Sequence, residues 1–178
     1  YRYRLTYDFA HRPETLTTFG TVEAVTRWEY GADRGWLAVK RANSPAPGEG
    51  HGTSYRYSPG GRLVKRTDSR GVVTDYTPGP SGRVERIDYS DGTPPVVLHE
   101  WDRLGRAKRL TDGAGPRTLG YDSRGNLEET TYLPGAVLGG WTVSQEGDAQ
   151  GRLGDLRLRF DDLDHYHLGY RYGPGGSL

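Results

Sequence analysis

The chain has 178 residues with 24 basic and 23 acidic side chains, and a net charge of +1 predicts neither a nucleic-acid partner nor a membrane-surface one. With no Cys it has no disulfide framework and no thiolate metal site. Only 33% of residues are hydrophobic and mean hydropathy is −0.80, but 13 Tyr, 27 Gly and 11 Pro at regular spacing argue for ordered turns and a thin, well-solvated sheet rather than disorder.

No stretch approaches the roughly 18 apolar residues of a membrane-spanning helix, and no signal peptide is visible. The absence of Met predicts a segment of a longer protein, with any export signal upstream.

In chain order, Tyr1, Tyr3, Leu5 and Tyr7 alternate with Arg2, Arg4 and Thr6, the period of two of a half-buried antiparallel strand. Tyr7-Asp8 then opens a degenerate copy of a signature, aromatic-Asp-x-x-Gly-Arg/Asn-apolar, with His11 where Gly is expected. A longer variant runs from Tyr30 to Leu37, with Gly31 in the Asp position, and residues 43–52, rich in Pro and Gly, read as a loop. A weaker copy follows at Tyr57-Ser58-Pro59-Gly60-Gly61-Arg62-Leu63, then a second turn at Thr67-Asp68-Ser69-Arg70-Gly71. Another long variant spans Tyr76 to Val84 with Thr77 in the Asp position, and Asp91-Gly92 marks a further hairpin.

The clearest copies come next: Trp101-Asp102-Arg103-Leu104-Gly105-Arg106-Ala107 and Tyr121-Asp122-Ser123-Arg124-Gly125-Asn126-Leu127. Between them Thr111-Asp112-Gly113-Ala114-Gly115 supplies a second turn like that at Asp68 to Gly71. Residues 133–140 form a softer interruption. Gly147-Asp148-Ala149-Gln150-Gly151-Arg152-Leu153 is another weak copy, and a degenerate one begins at Tyr172. Asp at the first and Gly at the fourth position is the composition of a type I turn. Starts 19–27 residues apart, with strand-like segments such as Leu156-Leu158-Phe160 and Tyr166-Leu168-Tyr170-Tyr172 between them, predict an all-β antiparallel meander of hairpins. Neither irregular stretch interrupts the repeat, so residues 1–178 read as a single array.

With Tyr-Asp-x-x-Gly-Asn-Leu at 121–127 and Trp-Asp-x-x-Gly-Arg-Ala at 101–107, the chain resembles YD-repeat proteins of the Rhs type. These include the shells of bacterial Rhs toxins, the C component of insecticidal Tc toxins, and teneurins. The resemblance implies a spiral ribbon of hairpins forming part of a hollow, barrel-like shell, in a secreted or cell-surface protein. It implies a scaffold without catalytic activity or cofactor, which encloses a toxin effector or displays an adhesive surface. The partners implied are neighbouring repeats of the same polypeptide and a C-terminal effector. No Asp-Pro-x-Gly segment of the kind that marks self-cleavage in Rhs cores is present.

The recurring Asp with Arg or Asn four residues later (Asp8/Arg12, Asp102/Arg106, Asp122/Asn126, Asp148/Arg152) predicts a clasp across each turn. The repeat tyrosines are expected to pack across strands and fix register. An alternative is a carbohydrate- or protein-binding module, with a glycan or surface protein as partner, in which Trp28 and Trp141 are the candidates for ligand contact; Trp36 is irregular and Trp101 replaces a repeat Tyr. Asp161, Asp162 and Asp164 with His165 and His167 supply too few oxygens for calcium and lack a third zinc ligand at diagnostic spacing, so no metal is expected. As a glycosidase acid and base, adjacent loop carboxylates do not set the separation needed across a sugar. No nucleophile elbow, phosphate loop or dinucleotide fingerprint is present, and the 21 Arg against 3 Lys are dispersed after turns among acids. Unpaired terminal strands predict that the isolated segment self-associates or keeps its end strands disordered.

Overall fold

A computed structural model describes residues 2–44, 46–161, 163–173 and 176. Tyr1 of the first alternating segment, Pro45 of the expected loop and Asp162 of the acidic cluster lie outside the described residues. The described residues contain no helix, as expected from the period-two pattern.

The chain divides into two compact units, Tyr1–Thr93 and Pro94–Leu178. The first carries β1 (Arg2–Tyr7), β2 (Pro13–Phe19), β3 (Glu23–Tyr30), β4 (Leu37–Ala42), β5 (His51–Tyr57), β6 (Leu63–Thr67), β7 (Val73–Pro78) and β8 (Val84–Tyr89). The second carries β9 (Val96–Trp101), β10 (Ala107–Asp112), β11 (Gly115–Tyr121), β12 (Leu127–Tyr132), β13 (Trp141–Gly147), β14 (Leu153–Phe160) and β15 (Leu163–Gly169). Within each unit every strand pairs antiparallel with its neighbours in sequence.

Little of either unit is dry. Leu110 is the buried hydrophobic residue among those described, with Ser44 and Thr74 as buried polar companions. Most strand side chains are half-buried, so cross-strand pairs, each contributing about 0.2–1 kcal/mol, hold the sheets rather than a thick core. Val143, Leu158 and Tyr166 form one such row across β13, β14 and β15.

The register shows how one signature aligns with the next. The residue before each turn pairs with the residue just after it, across five turn residues at Tyr7 with Pro13, Tyr57 with Leu63, Pro78 with Val84, Trp101 with Ala107, Tyr121 with Leu127 and Gly147 with Leu153, and across six at Tyr30 with Leu37. These turns all join an odd-numbered strand to the even-numbered one after it, so within each unit they gather along one side of the sheet.

Three expectations change. The copy read as Tyr76 to Val84 starts at Pro78, and Gly79, not Thr77, fills the Asp position; its turn has ordinary length, with Gly79 N–H donating to Arg83 O and Gly82 N–H to Gly79 O, each at 2.8 Å. His51 and Gly52, placed in the loop 43–52, belong to β5 because they pair with Ala42 and Arg41. The last alternating run ends at Gly169, so Tyr170 and Tyr172 lie beyond β15.

Candidate functional site

The most developed constellation is the row of turns, best seen at Asp102. Its N–H donates to Arg106 O at 2.9 Å, and its carbonyl accepts from Gly105 N–H at 3.1 Å. Gly105 has φ 81°, which fits a type I turn closed by one left-handed residue. The Asp102 carboxylate accepts from Leu104 N–H at 2.9 Å, from Arg106 N–H at 2.8 Å and from Arg106 Nε at 2.6 Å. Asp8 and Asp148 hold Arg12 and Arg152 in the same way, and at Asp122 the Asn126 side-chain amide donates at 3.0 Å instead. The expected clasps are therefore present at all four turns.

These donors pull the carboxyls below the usual aspartate range. The leading cause is the Arg12 side chain at Asp8, the Arg106 backbone N–H at Asp102 and the Asn126 side chain at Asp122. A carboxylate facing several donors is favoured in its ionised form.

What each clasped arginine does next has no direct sign in the sequence. Its guanidinium lies on the ring that opens the following repeat: Arg12 at 4.1 Å from the Tyr30 centroid, Arg106 at 4.2 Å from Tyr121, Arg152 at 4.1 Å from Tyr172. Each of those rings sends its hydroxyl back to the strand just after the arginine, donating to Pro13 O at 2.8 Å, Ala107 O at 2.8 Å and Leu153 O at 2.9 Å. Where Asn126 replaces Arg and Gly147 replaces the ring, the Gln145 side-chain amide donates to the equivalent carbonyl, that of Leu127. Where Trp36 replaces Arg, it packs against Tyr57 at 5.3 Å between ring centroids. The available signal was joint loss: Asn126 and Gly147 abandon arginine and ring together.

The other predicted turn residues fall into place unevenly. Asp68 and Gly71 form a five-residue clasp at the opposite side of the sheet, with Asp68 Oδ1 accepting from Arg70 and Val72 N–H at 2.8 and 3.0 Å. Asp112 and Gly115 do not repeat it: they pair directly across a two-residue loop, and Asp112 instead receives both terminal nitrogens of Arg117, at 3.1 and 2.5 Å. Ser58 Oγ accepts from Arg62 N–H at 3.2 Å, a one-bond version of the clasp. Gly61 and Gly151 both have left-handed φ, and a Cβ on Gly61 would stand 2.9 Å from Trp36 Cζ2.

Trp28 is half-buried on β3 with the Lys40 ammonium 5.8 Å from its ring, and Trp141 packs at 5.1 Å from both Phe160 and His165. The histidines face separate partners, since His167 Nε2 meets Asp155 Oδ1 at 2.6 Å. Asp164 lies in β15 and pairs with Arg159 at 3.3 Å. Among the described residues no three potential ligands gather around a metal position.

One turn departs from the pattern. Between Gly31 and Trp36 the connection is one residue longer, with Gly31 N–H donating to Trp36 O at 2.8 Å and Gly35 N–H to Gly31 O at 3.0 Å. Beside it opens a cleft of about 420 Å³ lined by Asp33, Arg34, Trp36, Tyr55, Arg56 and Tyr57, among others.

Comparison with known proteins agrees with this geometry. Residues 101–136, which contain the two clearest copies, match the RHS Repeat family. No curated protein matches the chain. Among solved structures, a Tc holotoxin pore from Photorhabdus luminescens matches with a TM-score of 0.60 at 16% identity, over 94% of this chain and 9% of that one. The TcdB2-TccC3 complex matches with a TM-score of 0.60 at 17% identity over 94% of this chain, and TcdB2-TccC3-Cdc42 with 0.59 at 17% over 97%. The chain spans about a tenth of the length of these matched chains.

Proposed function

We propose that this chain, whose repeats are of the Rhs type, contributes wall to a larger β-shell that encloses an effector. The observation that carries the reading is the handover from the clasped arginine of one turn to the tyrosine of the next, at Arg12–Tyr30, Arg106–Tyr121 and Arg152–Tyr172. Such a contact propagates a sheet by nearest-neighbour addition, the physics of a repeat scaffold rather than of a catalytic pocket. Half-buried side chains on thin sheets are consistent with a wall whose two faces meet different surroundings.

In this reading the partners are adjoining repeats of the same polypeptide and a C-terminal effector, the protein acts outside the cell or at its surface, and the chain performs no chemistry of its own. The likeness of fold to the Tc holotoxin pore and to TcdB2-TccC3 supports the reading as part of a wall. Electron microscopy of the intact protein that carries this chain is the test. A closed hollow wall with density inside is expected; an open ribbon or a filled rod overturns enclosure.

A further inference from the structure

We propose that the gap between the Asp122–Asn126 and Asp148–Arg152 turns is a binding site for a small phenolic amine, a hydroxyphenyl ring carrying an ammonium group. The inference is independent of what the wall encloses. It starts from a repeat that keeps the seat for a ring but does not supply the ring. Gly147 stands where Tyr30, Tyr121 and Tyr172 stand in other copies. A cavity of about 200 Å³ opens there, lined by Asp122, Asn126, Leu127, Gln145, Glu146 and Gly147, among others. That volume is below the range of drug-sized sites and suits a single ring.

The backbone does not require a glycine at this position. Gly147 is not left-handed, and a Cβ on it would meet no residue beyond its neighbours closer than 3.6 Å. Other residues restore the rest of the seat. Where a ring is present, the arginine Nη1 stands beside the glycine of the next turn: Arg106 lies 3.4 Å from where a Cβ on Gly125 would stand, and Arg152 3.8 Å from one on Gly176. Arg124 Nη1 takes the same place at Gly151, at 3.7 Å, so a guanidinium is supplied although Asn126 has replaced the usual one. Gln145 Nε2 donates to Leu127 O as a tyrosine hydroxyl does elsewhere. Its Oε1 has no donor among the described residues and can accept the hydroxyl of an incoming phenol. Leu127, 36% exposed, lies uncovered beside the gap.

Charge selects among phenols. The Asp122 carboxylate is clasped by the neutral Asn126 side chain, and Glu146 has no hydrogen-bond or ion-pair partner among the described residues. Arg124 offsets one of these two carboxylates, and Arg152 is already paired with Asp148. The adjoining cleft adds Glu128, Asp155 and Arg157, which are negative in sum. The surroundings therefore favour a ring with an ammonium over one with a carboxylate.

The test is titration of the chain with tyramine, phenethylamine and 4-hydroxyphenylacetate, followed by NMR at the Gly147 and Gly151 amides and the Leu127 and Leu153 methyls. The expected result is a saturable shift of these signals with tyramine in the millimolar range, as suits a ligand of about ten heavy atoms. Phenethylamine, which lacks the hydroxyl, and 4-hydroxyphenylacetate, which carries the opposite charge, each bind more weakly. Arg124→Ala, at an exposed position, weakens tyramine binding about two- to fivefold, the worth of an exposed cation–π contact. Gly147→Tyr fills the gap from within the chain and abolishes binding while the fold is kept. Absence of a saturable tyramine shift at these four residues overturns the proposal. So does equal binding of either other compound, or tyramine binding that Arg124→Ala or a folded Gly147→Tyr variant leaves unchanged.

Discussion

The Arg106 guanidinium lies 4.2 Å from the Tyr121 ring centroid, and the Tyr121 hydroxyl returns a 2.8 Å hydrogen bond to the carbonyl of Ala107, the residue after that arginine. One contact thus joins two consecutive hairpins by charge, ring face and hydrogen bond. Tyr121→Phe removes the hydrogen bond alone and is expected to cost about 1 kcal/mol in chemical denaturation. A double-mutant cycle of Arg106→Ala with Tyr121→Leu should give a coupling energy of about 0.5–1 kcal/mol, and additive effects would show that the stacking contributes nothing.

Gly61 and Gly71 separate backbone conformation from packing. Both are left-handed, at φ 83° and 84°, but a Cβ on Gly61 would meet Trp36 Cζ2 at 2.9 Å, whereas nothing lies within 4 Å of one on Gly71. Gly71→Ala should cost about 1–2 kcal/mol and Gly61→Ala about 1 kcal/mol more. Equal losses in urea denaturation would mean that Trp36 yields without penalty.

His11 occupies the glycine position of the first signature with φ 59°, a conformation that side chains resist. His11→Gly is expected to stabilise the fold by about 0.5–1 kcal/mol, net of the greater entropy glycine loses on folding. A lower thermal midpoint in the variant would contradict this.

The clasped carboxylates predict acid sensitivity. The pKa values of Asp8, Asp102 and Asp122 are lowered in the folded chain, so the unfolded chain takes up protons first as pH falls. Their contribution is complete above the unfolded value of about 4 and is lost as pH drops through the lower folded values. Thermal midpoints should change little from these groups between about pH 7 and pH 5 and decline below about pH 4. Asp102→Asn with Asp122→Asn should flatten that decline, because fewer groups remain to be protonated.

The hairpins were legible because their determinants are local. Asp102 and Gly105 specify a turn within four residues, and alternation around Leu156 and Leu158 specifies the strand beside it. The copy near Tyr76 was misplaced for the same reason. Pro78 and Gly79 had replaced both signature residues, and Tyr76, two positions earlier, offered a decoy aromatic. The contact between Arg106 and Tyr121 was not legible, since it exists only once register has brought separate turns side by side. Nor was the substitution of Gln145 for a missing tyrosine hydroxyl, because Gln145 sits two residues before the repeat position it serves. The cleft beside Trp36 is not legible either, because an inserted residue in a turn reads simply as a weak repeat.

The handover between hairpins also has a direction in time. In each stacked pair the arginine comes first along the chain, already fixed by its own aspartate within five residues, and the ring arrives later. During synthesis from the N-terminus, each of these three turns therefore presents a prepared seat to a tyrosine not yet made. The wall can be laid like courses of masonry, each row needing only the row beneath it, with no distant strand to wait for.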